Sequence, residues 1–527
     1  MSDGRYRAAA LLAVTMSLGC APIVDEVFVS LTLEPTPPQV IPEGLGSVEI
    51  PLRLSDTPSE PITLAYRVVG IEAQNDCPEP DFEAAEGRVE WLAGVRDGSL
   101  RVWVGDDLLA ETDERFQIVF EPLAGLPAIA VRPIEITIAD DDRTGLVRAE
   151  DHGVMPGVAA DQALQITGAM AAAAALGRGV LVMSPGDYEV SSVTMPSGTT
   201  LSARGVRWNR PAMSAEDVVT LRIEQAGAAD SARTLVEGLT IDGRRDVQGA
   251  YRNHERENAH LVALEGDSDQ GGRVLGSLEG MLLVSGTGSG TWVGADADVT
   301  VCDLEASELW RDAVTVVGGN TVARLRNVDA TATEGTGLWV GARNQGFMEN
   351  LTLDVEADNV RVSAGDVEIE TAGESRVTLR RLVMTQSPFR LDAPGGTVRI
   401  SDSVLMVGLP SETHNYLGRP HDVQISATTI VAAEASAEGA VDEQARSFAA
   451  FSLRSETQAQ GTPAEGPGSL SFDGCRFEIG RDVEADDTVF GFESSSGDSS
   501  IVVRNGQLGP GFAGWFAPSC TSCLVEP

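Results

Sequence analysis

The hexapeptide VTVCDL at residues 299–304 recurs in altered form through the C-terminal half of the chain. Aligned stretches stand at residues 323–328 (ARLRNV), 346–351 (GFMENL), 377–382 (VTLRRL), 398–403 (VRISDS), 423–428 (VQISAT), 470–475 (LSFDGC) and 501–506 (IVVRNG). The first five steps between them are 24, 23, 31, 21 and 25 residues. A step of this length is typical of one coil of a parallel β-helix, in which each coil buries its apolar face only against its neighbours.

Asparagine or aspartate recurs inside this repeated unit. The positions are Asp303, Asn327, Asn350, Asp402 and Asn505. These residue types tolerate the left-handed backbone conformation better than other side chains, so we expect a bend there in each coil. A leucine-rich repeat would need its own leucine and asparagine signature, and a propeller would need about 40 residues per blade. Neither pattern is present.

The segment that precedes the repeats has features of an N-terminal cap. The alanine-rich residues 159–176 predict one helix, which Gly177 and Gly179 end. Residues 151–154 (DHGV), 179–188 (GVLVMSPGDY) and 195–201 (MPSGTTL) resemble the cap and first coil of the pectin-lyase-like superfamily. This resemblance covers residues 146–527 and implies a right-handed parallel β-helix. It implies little about chemistry, because this fold carries many functions.

Residues 28–142 have a different sequence pattern, in which short segments of alternating apolar and polar residues are separated by turns. Strands are predicted at residues 48–54, 63–68, 100–104, 116–120 and 134–138. Several short strands at this spacing indicate a β-sandwich, whose strand ends gather at two rims. Carboxylates concentrate at these strand ends, and Ca²⁺ takes 6–8 oxygen ligands. The pattern therefore predicts a calcium site at one rim.

The same region resembles the Calx-beta domain in the order and spacing of its motifs. The matching stretches are Leu54-Ser55, Asp81-Phe82, residues 87–94 (GRVEWLAG), 106–116 (DDLLAETDERF) and 136–142 (ITIADDD). The resemblance implies a seven-strand immunoglobulin-like sandwich that in some members binds Ca²⁺. The ligand candidates it implies are Glu43, Asp81, Asp106, Asp107, Glu111, Asp140, Asp141 and Asp142. The alternative is that these carboxylates are solvated turn residues of a structural module.

The N-terminus has the pattern of an export signal. Residues 1–19 carry two arginines, a short apolar run at residues 8–14 and small residues before Cys20. The run is too short to span a membrane. The segment resembles a bacterial lipoprotein signal, which implies lipidation of Cys20 and a linker at residues 20–27; plain secretion is the alternative. We expect an exported protein at the cell envelope or outer surface, held to the membrane through the lipid alone.

Composition excludes several function classes. The chain has 79 acidic and 38 basic residues, a net charge of −41, and no lysine. A catalytic lysine, a Schiff base and a P-loop are therefore excluded. So strong a negative charge also argues against nucleic acid as a partner, because such binding depends on neutralising phosphates.

The number of cysteines excludes complete internal pairing after the signal, because it is odd. Of six cysteines, five remain after the signal. Cys520 and Cys523 predict a small terminal disulfide. Cys302 and Cys475 lie in strand patterns and are predicted to be buried free thiols.

The candidate catalytic residues are Asp312, Glu334 and His254. Asp312 and Glu334 are 22 residues apart, which is one coil, and Trp310 and Trp339 lie close to them in sequence. Stacked coils bring equivalent residues about 4.8 Å apart, close enough for an acid/base pair. His254 and the nearby His260 form a second polar segment. The alternatives are that the two acids are turn residues and that the histidines belong to a structured loop.

Two functions follow from these expectations. The first is a surface-anchored adhesion or scaffold protein, with a calcium-binding sandwich and a β-helix that binds a polysaccharide or another cell-surface ligand. The second is a carbohydrate-active enzyme, namely a polysaccharide lyase, glycoside hydrolase or epimerase, with its site in a groove of the β-helix. The sequence names neither the glycan nor the oligomeric state.

Overall fold

The computed structural model describes two β-rich regions that follow each other along the chain. The described residues are 39–43, 46–71, 81–105, 110–122, 132–212, 219–224, 233–246, 259–266, 272–331, 335–341, 352–363, 365–371, 374–387, 389–392, 396–409, 416–417, 422–434, 451–453, 469–479, 492–494, 500–509 and 523–526. Within these ranges, no helix has both the length and the hydropathy that crossing a lipid bilayer requires.

The first region is a β-sandwich, as the alternating sequence predicts. One sheet has the strand order Gln39–Pro42, Ile134–Ala139, Glu114–Pro122, Ile62–Gly70 and Glu86–Trp91, and the facing pair is Gly46–Arg53 with Asp97–Val104. All these neighbours are antiparallel except the first two strands, which run parallel.

The core of the sandwich lies between its two sheets. Alternate residues of each strand point inward, so the strand Asp97–Val104 alternates between exposed and buried positions. Trp91 is fully buried, and Phe82 stacks on Phe116 with ring centroids 5.1 Å apart. Each buried aromatic ring contributes a large apolar area, so this core can hold a small domain together.

One helix caps the second region, as predicted, but it is shorter than the alanine-rich segment. It spans Ala163–Ala174 and buries Ile166, Ala169 and Met170 against the first coils. Before the helix, the Asp161 carboxylate accepts hydrogen bonds from the backbone N–H groups of Ala163 and Ser191, which ties the start of the helix to the chain at Ser191.

The second region is a parallel β-helix with three sheets, which we name A, B and C. Strands that run through both A and B are Thr200–Asn209, Thr234–Asp242, Ala297–Ser307, Thr321–Thr331 and Leu353–Ser363. Strands of sheet A alone are Gly145–Arg148, Gly179–Val182, Val274–Glu279, Arg376–Arg380, Thr397–Ser401, Asp422–Ser426, Ser469–Asp473, Ser500–Arg504 and Cys523–Glu526. Strands of sheet B alone are Gly186–Glu189, Leu282–Val284, Val383–Ser387, Val404–Leu409, Thr429–Glu434, Arg476–Ile479 and Gln507–Leu508.

Sheet C is separate from the other two sheets. Its strands are Val193–Pro196, Leu221–Glu224, Val262–Leu264, Thr291–Val293, Val314–Val317, Thr336–Gly341, Asp366–Glu370, Phe389–Asp392, Tyr416–Leu417, Phe451–Leu453 and Phe492–Ser494. All pairs of neighbouring strands in the β-helix are parallel, and a right-handed sense is the rule for such crossovers. Buried aliphatic side chains from all three sheets fill the interior as one continuous core.

The bend between sheets A and B is made by one left-handed residue in each coil. Positive φ angles occur at Gly205, Gly238, Gly280, Asp303, Asn327, Asn359, Arg381, Asp402, Ala427, Gly474 and Asn505. The predicted bends at Asp303, Asn327, Asp402 and Asn505 are thus confirmed. The side chains also form a ladder, because the Asn327 Nδ2 donates to Asp303 Oδ1 at 2.9 Å and the Asn359 Nδ2 to Asn327 Oδ1 at 2.8 Å.

One stretch of the repeat alignment is wrong, and with it the steps on either side of that stretch. The residue that stacks on Asn327 is Asn359, because Arg326 pairs with Asp358 and Val328 with Val360. Residues 346–351, including Asn350, lie outside the described residues. The coil therefore takes 32 residues rather than 23, since a longer connection separates Gly341 from the strand Leu353–Ser363. The other aligned stretches are confirmed in register.

The prediction for one cysteine is also wrong. Cys302 is disulfide-bonded rather than a free thiol, and its partner is not among the described side chains. It lies on the outward side of sheet A, where a strand pattern alone cannot show whether a thiol is within reach of another. Cys475 is a buried free thiol, as predicted.

The bend predicts the effect of one substitution. Asn327→Val is expected to lower the free energy of unfolding by about 2–3 kcal/mol. A branched side chain in the left-handed conformation costs about 1–2 kcal/mol, and the ladder loses two hydrogen bonds. Urea and thermal unfolding are the measurements. The control is Asp329→Val on the same strand, outside the bend; equal losses in both variants would contradict the assignment of the bend.

Candidate functional site

Carboxylates converge at one rim of the sandwich. Asp81, Glu111 and Glu114 place ligand oxygens within 4.8 Å of one another. Glu43 and Asp140 line the same small pocket. An all-oxygen set of carboxylates is the donor chemistry that Ca²⁺ takes, so these residues fit a calcium ion.

Two other predicted ligands lie away from this pocket. Asp141 is exposed, and Asp142 forms an ion pair with Arg178 of the first coils. Glu114 belongs to the cluster although the sequence analysis did not include it among the ligands. Its position in the stretch at residues 106–116, at the start of the strand Glu114–Pro122, could have identified it as a candidate ligand.

Glu114 is buried among like charges, and Arg204 is its ion-pair partner. Burial raises the pKa of Glu114 well above its usual range, and the hydrogen bond and charge of Asp81 raise it further. Arg204 lowers this pKa, and the carboxylate of Glu237 raises it. A buried carboxyl group among like charges needs either a proton or a cation, and a divalent cation would neutralise several groups at once.

A second polar and aromatic site lies on the outer face of sheet C. Strand pairing places Arg222, Ala263, Trp292, Thr315 and Trp339 in one column, one residue per coil. Their neighbours along each strand point into the core, so this column faces outward. We name it the aromatic column.

The two indole rings of the aromatic column lean towards each other. Trp292 and Trp339 are two coils apart, which is about 9.6 Å along the backbone, yet their ring centroids are 6.4 Å apart. They cover Thr315, which lies between them and is fully buried. The Trp339 ring lies over Gly341, where an added Cβ would approach the indole nitrogen to 2.6 Å. A glycine is therefore what allows this ring to lie on the sheet.

His260 extends the aromatic surface at the edge of the column. Its ring stacks on Trp292 with centroids 4.6 Å apart. The backbone N–H of Ser289 donates to His260 Nδ1 at 3.3 Å, which assigns the proton of the neutral ring to Nε2. Burial, together with the nearby charges of Arg311 and Arg222, lowers the pKa of His260 to about 3. At neutral pH this histidine is therefore a hydrogen-bond donor rather than a base or an acid.

Asp312 lies in the same corner, buried and surrounded by donors. It accepts hydrogen bonds from Thr315 Oγ1 at 2.9 Å, from Ser289 Oγ at 3.4 Å and from the Thr336 backbone N–H at 3.1 Å. These donors come from two neighbouring coils as well as its own. Its catalytic role stays a prediction, and its geometry is that of a group that holds three coils in register.

Several predicted site residues lie outside the described part of the chain. They are Cys20, Asp106, Asp107, His254 and Glu334. Trp310 is half-buried in the turn before Asp312, and it is not part of the aromatic column.

Sequence reasoning missed Trp292. The signal was present, because TWV at residues 291–293 aligns with VTV at residues 314–316 and LWV at residues 338–340. The repeat alignment followed only the strands of sheet A and the bend, so the matching column of sheet C stayed undetected. His260 was noted only for its proximity to His254 in sequence.

Comparisons with known proteins give weak similarities. No protein-family model and no curated protein matches the chain. The calcium binding domain CBD12 of CALX1.1 is 24% identical over 22% of this chain and 47% of that chain, with a TM-score of 0.20. The chain thus spans about half the length of the CBD12 structures that it matches.

Two β-helix proteins match over more of the chain. The Azotobacter vinelandii mannuronan C-5 epimerase AlgE6 A-module is 16% identical over 69% of this chain and 99% of that chain, with a TM-score of 0.40. The Yersinia enterocolitica family 28 exopolygalacturonase is 10% identical over 93% and 98%, with a TM-score of 0.38. These likenesses concern the fold alone, and the strand order of the chain itself shows a β-sandwich followed by a parallel β-helix.

The buried histidine predicts a pH dependence of stability. In the unfolded chain His260 takes up a proton near pH 6.5, whereas in the folded protein it stays neutral down to about pH 3. The unfolded state therefore binds more protons as the pH falls, and the folded state loses stability. Between pH 7 and pH 5 the melting temperature of the wild type should fall more steeply than that of His260→Asn.

The matched control is His152→Asn, because His152 is exposed. Its melting temperature should follow that of the wild type across the same pH range. Parallel curves for His260→Asn and the wild type would contradict the assignment of a buried neutral imidazole.

Proposed function

We propose that this protein binds polysaccharide on the outer face of sheet C. The observation that carries this proposal is the pair of indole rings of Trp292 and Trp339, which lie together on an outward column with His260 stacked beside them. Aromatic rings offer apolar faces to sugar rings, and the Trp339 ring would act through its face alone, because its indole nitrogen is buried. Trp292 and Trp339 are each half-buried on this outward face, and clustered apolar side chains at a surface are a feature of binding sites.

The surroundings of the aromatic column supply the polar contacts that a glycan needs. Arg222 and Arg311 both lie near enough to His260 to lower its pKa. Guanidinium groups make strong charge-assisted hydrogen bonds to carboxylates and bind sugar hydroxyls. Because the chain as a whole carries a net charge of −41, these arginines form one of the places where an anionic sugar meets less repulsion.

The sandwich has a separate role in the same proposal. Its rim binds Ca²⁺ through Asp81, Glu111 and Glu114, and the other carboxylates of the pocket complete the negative environment. The calcium ion supplies positive charge to this cluster of carboxylates, of which Glu114 is buried, and stiffens the module that precedes the β-helix. Export and lipid attachment at Cys20 would display the β-helix on the cell surface, as an adhesion or scaffold protein.

An enzyme acting on polysaccharide is the second candidate. The observation that favours it is the polar corner where Asp312, Ser289 and His260 meet beside the aromatic column. Against it, the proton on His260 Nε2 and the three donors around Asp312 leave neither group arranged as a general base. A polysaccharide lyase, glycoside hydrolase or epimerase would have to use groups besides these two.

Binding to a polysaccharide panel tests the proposed function. The full chain is titrated with neutral and anionic polysaccharides, and products are analysed after long incubation. We expect binding without product, and Trp292→Ala and Trp339→Ala should each weaken that binding on the order of 10-fold, a loss of about 1.4 kcal/mol of aromatic contact.

The control for these variants is Trp103→Ala, because Trp103 is an exposed tryptophan of the sandwich. Its affinity should equal that of the wild type. Equal affinities in all three variants would contradict a glycan site at the aromatic column, and the appearance of shortened or epimerised products would favour the enzyme.

A further inference from the structure

Part of the outer face of sheet A is buried at its first coils. Ser202, Glu237, Glu279 and Cys302 stack in one outward column and are all buried. The next residue of this column, Arg326, is exposed. Outward side chains become buried only when something covers them, and at Cys302 the cover includes its disulfide partner. We name the outer face of the strands Thr200–Asn209 and Thr234–Asp242, which carry Ser202 and Glu237, the docking surface.

Arg204 connects this docking surface to the sandwich. Its guanidinium donates through Nη2 to a carboxylate oxygen of Glu114 and, at 2.7 Å, to Glu237 Oε2. Its Nε also donates to Glu237 Oε2, at 3.1 Å. The carboxyl groups of Glu114 and Glu237 therefore lie no more than two hydrogen-bond lengths apart, one from each region of the chain.

The bend of the next coil leaves space for the side chain of Arg204. Gly238 occupies the bend position of the next coil, with φ of 68°, and a Cβ there would lie 2.9 Å from the Arg204 Cα and 2.7 Å from its Cγ. Asparagine or aspartate fills the bend in several later coils, including Asp303 and Asn327. Glycine at this coil therefore serves the arginine as well as the bend.

The contact between the sandwich and the β-helix contains one arginine, Arg204, and two glutamates, Glu114 and Glu237. The side chain of Glu237 is only 3% exposed, and its Oε1 is buried with no hydrogen-bond partner within the described part of the chain. On the sandwich side, Glu114 stands with Asp81 and Glu111, whose ligand oxygens lie within 4.8 Å of its own. A buried carboxylate oxygen without a partner, such as Glu237 Oε1, is costly, and the Arg204 guanidinium is already shared between Glu114 and Glu237. This arrangement points to a cation at the boundary.

We propose that calcium at the sandwich rim fastens the sandwich to the β-helix through Glu114, Arg204 and Glu237. The inference rests on the calcium site of the proposed function. A calcium ion held by Asp81 and Glu111 would bind one side of the Glu114 carboxylate and fix its orientation, as groups around a metal do for its ligands. The other oxygen of Glu114 then stays directed at Arg204, so metal binding and docking strengthen each other.

Amide hydrogen exchange of the full chain, with and without millimolar CaCl₂, tests this coupling. The sandwich is followed through the strand Glu114–Pro122 and the docking surface through the strands Thr200–Asn209 and Thr234–Asp242. In the wild type we expect Ca²⁺ to slow exchange in all three strands, by about 10-fold on the β-helix side.

Two variants should break the coupling by different routes. Arg204→Gln removes the positive charge. Gly238→Asn keeps a residue type that the bend accepts, but its Cβ would clash with Arg204 and push this arginine, including its Cα, out of place. In both, Ca²⁺ should slow exchange in the sandwich strand but leave the two β-helix strands unchanged. By reciprocity, the calcium affinity measured by calorimetry should weaken by the same factor of about 10.

Matched controls separate this effect from general damage. Gly280→Asn changes the bend of the following coil, where the nearest backbone atoms are 3.9 Å from an added Cβ, and should behave as the wild type. Arg207→Gln removes an arginine of the same strand that pairs with Asp242 instead, and should also retain the coupling. Glu111→Gln should abolish the calcium response of every strand.

The outcomes distinguish the two proposals. If wild-type sandwich amides do not respond to Ca²⁺, the calcium site fails and the coupling fails with it. If the sandwich responds while the β-helix strands do not, or exchange faster with Ca²⁺, the calcium site stands and the coupling is overturned. A β-helix response that persists unchanged in both Arg204→Gln and Gly238→Asn would likewise overturn it.

Discussion

From Gly205 to Asn505, the described coils of the β-helix turn from sheet A into sheet B through a residue in the left-handed backbone conformation. Glycine, asparagine and aspartate reach this conformation at little cost, and they fill most of these positions. The bend fixes where each strand starts relative to the coil before it. Since a shift of one residue would turn every outward side chain inward, this bend also decides which side chains share a face.

The two sites of the molecule are consequences of that register. On sheet C it stacks Trp292 and Trp339 with one coil between them, so their rings meet over Thr315. On sheet A it stacks Glu237 on Glu279 and sets Arg204 beside the bend at Gly238. One backbone rule thus produces an aromatic surface that faces outward and a charged surface that the sandwich meets.

The architecture could be predicted from the sequence because the repeated unit marks each coil of the β-helix. Short strands with an Asn or Asp at one place define a coil, and the sandwich strands follow from period two. The prediction failed at residues 346–351, where a connection of unusual length hid the true partner of Asn327. It also failed for Cys302, because disulfide pairing depends on distances that a strand pattern does not contain.

The candidate site was harder to predict than the fold. Asp81, Glu111 and Glu114 come from separate loops and a strand, so their convergence required the packed sandwich. Trp292 could be found from the sequence, but only by aligning the short strands of sheet C. The burial of His260 could not be predicted from the sequence, because it involves the stacked ring of Trp292. Its lowered pKa could not be predicted either, because the pKa depends on that burial and on the charges of Arg222 and Arg311.

The central claim is that a glycan contacts the aromatic column. Fluorine NMR of the full chain labelled with fluorotryptophan tests it directly, because each of the seven tryptophans gives its own resonance. The resonances that disappear in Trp292→Phe and Trp339→Phe identify the two rings. On addition of a polysaccharide that binds, these two should shift, while the buried Trp91 and Trp208 should not. Binding that leaves both resonances unmoved would contradict the account.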